Sequence, residues 1–94
     1  PDMRQDIGHL WENFVIAERM KYLTYNEKWV NSYFWRTKQK QEIDYVEESN
    51  GKLLACEIKW NAKTKAKLPK TFSENYTNSD FIVVTPDTVD DFLL

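Results

Sequence analysis

Three side chains could do chemistry together: Asp44, Glu57 and Lys59. Between the first two lies Asn50-Gly51, flanked by strand-forming runs. Asn-Gly is the strongest short hairpin signal, because both central residues of a type I′ turn need positive φ. A turn there sets Ser49 against Lys52. Antiparallel pairing then puts Asp44 opposite Glu57 and Glu42 opposite Lys59, and a four-residue loop gives the same pairs. Side chains alternate across a strand, so Glu42, Asp44 and Val46 share one face with Ala55, Glu57 and Lys59. The other face carries Ile43 opposite Ile58 and Tyr45 opposite Cys56, apolar pairs that support the register independently. Directly opposed carboxylates, with Cβ atoms roughly 4.5–5.5 Å apart, repel one another. A hard divalent cation such as Mg²⁺ or Mn²⁺ would offset that repulsion. A cation beside the Lys59 ammonium is a setting that polarises a phosphate and activates a water for attack. The same residues also suit a solvated hairpin face, where Asp, Glu and Lys form a surface ladder worth little.

The elements that must position this trio can be read in outline. Residues 5–24 form an amphipathic helix in which Ile7, Leu10, Trp11, Phe14 and Val15 follow helical spacing and Ala17 extends the stripe; Asp6 is its N-cap. Strands follow over residues 30–36, 41–48 and 52–60. A second helix runs from residue 67 or 70 to 77, with Leu68, Phe72 and Tyr76 four residues apart and Pro69 in its first turn. Residues 80–85 make a short apolar strand of the kind found inside a covered sheet, and Pro86-Asp87 opens a final turn or helix. Helices alternating with sheet segments predict an α/β fold, with a mixed sheet flanked by helices.

Composition narrows the function. The chain has 94 residues, room for a single domain over 1–94. Its aromatic content, 15 %, argues for a packed core. Two glycines cannot write a phosphate loop or a dinucleotide fingerprint, and one Cys with one His cannot build a Cys/His zinc site or a disulfide framework. No apolar run approaches the ~20 residues of a membrane span, and no signal peptide is visible. A lone thiol favours a reducing, cytoplasmic setting. The first residue is Pro1, which reads as the cut end of a longer chain. With a net charge of −2, nucleic-acid binding must rest on a local patch. Lys59, Lys63, Lys65, Lys67 and Lys70 supply one, with no acid among them. That patch can equally be a solvated loop.

Asp44, followed by Glu57-Ile58-Lys59, resembles the signature of the PD-(D/E)XK nuclease superfamily, and the element order resembles its restriction-endonuclease-like α-β-β-β-α-β core. The runs Gly8-His9-Leu10-Trp11-Glu12-Asn13-Phe14-Val15, Tyr33-Phe34-Trp35-Arg36, Glu42-Ile43-Asp44-Tyr45-Val46 and Glu57-Ile58-Lys59 resemble, more narrowly, the C-terminal domain of a large group of prokaryotic P-loop ATPases. The resemblance implies that Asp44 and Glu57 are paired ligands of Mg²⁺ or Mn²⁺, with the backbone carbonyl of Ile58 as a third. It gives Lys59 the task of orienting the water or stabilising charge on the phosphate. It makes Glu12 an extra carboxylate near the metal, which helical geometry allows because Glu12 shares a side with Val15 and Ile16. It implies DNA as substrate and, as partners, an N-terminal P-loop ATPase domain and a second copy of the chain. Trp60 departs from the pattern, standing where active members often carry a small or polar residue.

The remaining features read as structural. Trp35 is a core aromatic and Arg36 its snorkelling neighbour, although Arg36 could contact a phosphate. His9 is a surface or capping residue, and Cys56 a small buried hydrophobe. Three functions remain in view. The first is a metal-dependent phosphodiesterase of endonuclease type. The second is a catalytically inactive nuclease-fold module that binds DNA or regulates an ATPase. The third is a structural, partner-binding domain.

Overall fold

The computed structural model describes residues 3–61, 63 and 66–94. The elements are α1 (Met3–Tyr25), β1 (Asn31–Arg36), β2 (Glu42–Ser49), β3 (Lys52–Ile58), α2 (Lys70–Asn75), β4 (Ser79–Val84) and α3 (Val89–Leu93). The four strands lie in the order β1-β2-β3-β4. The first two pairings are antiparallel and β3 pairs with β4 in parallel, so the sheet is mixed. The expected α/β architecture is therefore present, with α3 added at its end. No helix among the described residues is long and apolar enough to cross a membrane.

The β2–β3 hairpin follows the arithmetic of its turn. Asn50 and Gly51 both have positive φ, 55° and 79°, as a type I′ turn requires. The ladder runs from Ser49↔Lys52 to Tyr45↔Cys56, the expected register. It ends one step before Asp44 and Glu57.

A register shift between β1 and β2 changes what lies on each face. Tyr33 pairs with Val46 and Trp35 with Ile43, so Asp44 and Tyr45 together span the interval that Phe34 spans alone. That two-against-one count is a β-bulge. The bulge resets the alternation along β2. Tyr45 packs with Cys56, Ile58 and Val84 against Val15 and Ile16 of α1 and Phe92 of α3. Ile43 instead joins Val46, Ala55 and Phe72 in the core beneath α2. The expected Ile43–Ile58 pair is thus replaced, and Val46 and Ala55 are buried rather than sharing an open polar face.

Helix α1 is also rolled relative to expectation. Val15, Ile16 and Leu23 are buried and Trp11 partly so, while Ile7, Leu10, Phe14 and Ala17 face solvent. The cause is Arg19. Its guanidinium grips the buried Glu47 carboxylate through two bonds of 2.7 and 2.9 Å and donates to the Phe92 carbonyl at 2.7 Å. It also stacks 4.3 Å from the Phe92 ring. A bidentate, charge-assisted pair of this kind is geometrically strict. It turns the side of α1 that carries Glu12, Val15, Ile16 and Arg19 toward the sheet. Helix α2 begins after Pro69, which caps it from outside rather than sitting in its first turn. At six residues it is too short to be stable alone. Phe72, fully buried and edge-on to Trp35, holds it in place.

Helix α1 ends in a Schellman arrangement: the Lys28 N–H donates to the Leu23 carbonyl and the Glu27 N–H to the Thr24 carbonyl. Glu27 has φ of 56°, a left-handed position that favours glycine. Glu27→Gly should therefore raise stability by about 1 kcal/mol, read as a higher denaturation midpoint. An unchanged or lower midpoint would show that the left-handed conformation carries no penalty here.

Candidate active site

Asp44, Glu57, Lys59 and Glu12 meet at the end of the hairpin where the ladder stops. Beyond Tyr45↔Cys56, the Asp44 carboxylate takes over from the backbone and accepts the Ile58 N–H at 2.8 Å. That bond fixes Asp44 beside β3 and leaves the Ile58 residue at the heart of the cluster. Lys59 continues the sheet on its other side, donating its N–H to the Val84 carbonyl at 2.8 Å. Its ammonium lies 3.5 Å from the Glu57 carboxylate. Lys59 thus pairs with Glu57 rather than with Glu42. Glu42 is held instead by Arg36 across the β1–β2 pair at 3.2 Å.

Glu57 is buried, with 8 % of its surface exposed. Burial and then the neighbouring Asp44 charge push its carboxyl up to about 7, against the opposing effect of Lys59. Contact with the Asp44 side chain adds to the same upward push, so the surroundings favour the protonated form of Glu57. Glu12 is shifted upward as well, first by partial burial and then by Asp44, with His9 and Lys59 opposing. Glu12 therefore borders the pair, as its helical position implies.

A cleft of about 280 Å³ opens beside the cluster, lined by His9, Glu12, Phe34, Arg36, Glu42 and Asp44 among others. His9 and Phe34 were not expected at a site. The signal for His9 was its position one helical turn before Glu12. Phe34 faces outward, 75 % exposed, because it is the residue of β1 that spans the bulge.

The donor set bears on a metal. Among the described residues, no three His, Cys, Asp or Glu side chains converge closely enough to hold an ion. What the cluster does present is two neighbouring carboxylates, Asp44 and Glu57, with the Ile58 carbonyl adjacent in sequence. That set fits Mg²⁺ or Mn²⁺, which are held by one or two carboxylates and keep several waters. Glu12 stands outside a three-carboxylate group and suits the role of a partner to bound water.

Of the basic segment, Lys59 joins this cluster through Glu57. Lys63, Lys67 and Lys70 are exposed, and Lys70 lies 3.9 Å from Glu74. Lys65 lies outside the described residues. Arg36 is exposed while Trp35 packs on Phe72, as expected for that pair. Cys56 is fully buried, which pushes its thiol up to about 12 and makes it inert. Trp60 sits edge-on to Trp11, with ring centroids 5.4 Å apart. It therefore walls the α1 side of the site next to Lys59.

The raised carboxyl of Glu57 has a consequence for stability. Its pKa moves from 4.5 to about 7 on folding, so the folded chain holds a proton that the unfolded chain has lost. The fold thus benefits from this group fully below about pH 4.5, and loses that benefit as pH rises through about 7, by about 3 kcal/mol at most. Glu57→Gln should be more stable than the parent near pH 8 by about 2–3 kcal/mol and nearly equal to it near pH 5. Denaturation midpoints at the two pH values check this. Equal midpoints at both would mean that Glu57 titrates as an ordinary surface acid.

No curated protein and no solved structure matches the chain. A family model described as "Domain of unknown function (DUF4143)" matches residues 7–92. That span covers all seven elements apart from the first turn of α1 and the last residue of α3, and takes in Glu12, Asp44, Glu57 and Lys59. The chain belongs to this family.

Proposed function

We propose that the chain is a metal-dependent phosphodiesterase domain of endonuclease type acting on DNA. The observation that carries this reading is the pair Asp44 and Glu57 at the end of the hairpin ladder, with Asp44 held by the Ile58 N–H at 2.8 Å and Glu57 flanked by the Lys59 ammonium at 3.5 Å. The element order α-β-β-β-α-β and the mixed sheet support kinship with the PD-(D/E)XK nuclease superfamily. Domains of this family occur at the C-terminus of ATPase-like proteins, which supports an N-terminal P-loop ATPase domain as the partner in the full protein.

In this reading Asp44, Glu57 and the Ile58 carbonyl hold Mg²⁺ or Mn²⁺. The ion, when bound, supplies Lewis-acid stabilisation of the phosphate and lowers the pKa of a coordinated water. The residues of the chain do the rest. The Ile58 N–H orients Asp44, and Glu57 in its ionised form would be the second carboxylate holding the cation. Lys59, tethered to Glu57, sits where negative charge would grow on the phosphate oxygens. Glu12 and His9, on the same side of the cleft, can take or relay a proton from water. Lys63, Lys65, Lys67, Lys70 and Arg36 would track the backbone of the nucleic acid.

The packing of Trp60 on Trp11, which narrows access beside Lys59, favours a second reading: a nuclease-fold module that binds DNA without cutting it. The two readings differ in one experiment. In the first, Mn²⁺ raises the melting temperature of the parent chain and not that of Asp44→Asn, and the parent nicks plasmid DNA. Lys59→Ala then keeps the Mn²⁺ shift and loses nicking by at least ~100-fold. A Mn²⁺ shift with no nicking, even with the ATPase half attached, selects the second reading. No Mn²⁺ shift at millimolar concentration removes the metal site altogether.

A further inference from the structure

The acidic cluster is flanked by exposed aromatic rings. On the β1 side, Phe34 is 75 % exposed and lines the same cleft as Glu12 and Asp44. On the α1 side, Trp60 and Phe14 are about half exposed, and both pack on Trp11, the residue before Glu12. Trp60 itself follows Lys59. A hairpin end built only for a metal needs none of these rings in solvent, and exposed apolar groups grouped around one site mark a binding surface. The chain that continues from Lys59 and Trp60 is basic: residues 59–70 carry five lysines and no acid. A protein partner that buried the rings would have to accommodate that charge, whereas a nucleic-acid strand is attracted by it.

Resting on the phosphodiesterase reading, we infer that the site takes unpaired nucleotides, with bases stacked on Phe34 and on Trp60 at either side of the phosphate that a cation on Asp44 and Glu57 would hold. Stacking on aromatic faces is open only to bases released from a duplex, since paired bases already cover both of their faces. The arrangement combines rings for successive bases with lysines for the backbone, the general form of single-strand recognition. The class of substrate is thus single-stranded DNA, or the frayed or flapped end of a duplex.

Anisotropy of a labelled oligothymidylate and of a duplex of equal length, each titrated with the chain in Ca²⁺, tests this. The single strand should bind the more tightly. Phe34→Ala and Trp60→Ala should each weaken it roughly tenfold, with little effect on the duplex. Phe34 is an exposed edge residue, so Phe34→Ala keeps its fold, and Phe34→Tyr should restore binding. Equal binding of the two probes, or single-strand binding unchanged in both alanine variants, overturns the inference. So does a result in which the variants alter only the oligomeric state, which would make the rings an interface between copies. The Mn²⁺ shift of the parent chain, measured without oligonucleotide, reports separately on the metal site. Its persistence alongside failed strand selectivity removes the base contacts and leaves the site.

Discussion

Two carboxylates cannot stay side by side in a partly buried position with both charges unscreened. The β2–β3 hairpin imposes that situation on Asp44 and Glu57. Its type I′ turn fixes the register, and the register brings the two acids to the same level of neighbouring strands. The fold answers with the means at hand: a Glu57 carboxyl pushed toward its protonated form, the Lys59 ammonium at 3.5 Å, and the Ile58 N–H on Asp44 at 2.8 Å. Each of these is a substitute that a divalent cation would displace or complement. A surface ladder of charges would have had water as its solvent and needed none of them. The burial of Glu57 is what separates a strained, chemically usable pair from a solvated face.

The rest of the molecule holds that end of the hairpin open. The bulge at Asp44 and Tyr45 stops the ladder just before the acids, and leaves the Asp44 side chain to make a contact that backbone would otherwise make. It also sends Ile43 and Tyr45 to opposite faces, so both cores are anchored at the site. The Arg19–Glu47 clasp rolls α1 until Glu12 borders the pair. Since Arg19 also binds the Phe92 carbonyl, α3 is tied to the same joint. A buried ion pair is weak evidence of added stability. Its value here is geometric, because a helix with apolar residues on much of its circumference could otherwise dock in more than one rotation.

Much of this was legible in the residues. Asn50-Gly51 gave the hairpin and its register, and with them Asp44, Glu57 and Lys59 as neighbours. The element order gave the mixed α/β sheet. The apolar stripe of α1 misled, because Ile7, Leu10 and Phe14 satisfy helical spacing as well as the buried Val15 and Ile16 do. Periodicity ranks faces by hydrophobicity and has no access to a partner such as Glu47, twenty-eight positions away from Arg19. The bulge was equally hidden. Strict alternation put Ile43 opposite Ile58 and Glu42 opposite Lys59, and one extra residue in β2 undid both. His9 and Phe34 belong to the cleft only because of that local geometry.

Burial and the Asp44 charge hold the Glu57 carboxyl protonated at the place where a cation would otherwise offset the two acids. Carbon-detected NMR titration of the Glu57 carboxyl tests it most directly. The expected result is titration near pH 7 without metal and a fall well below that value when Mg²⁺ is added. A Glu57 carboxyl that titrates close to 4.5, with no response to Mg²⁺, would contradict it.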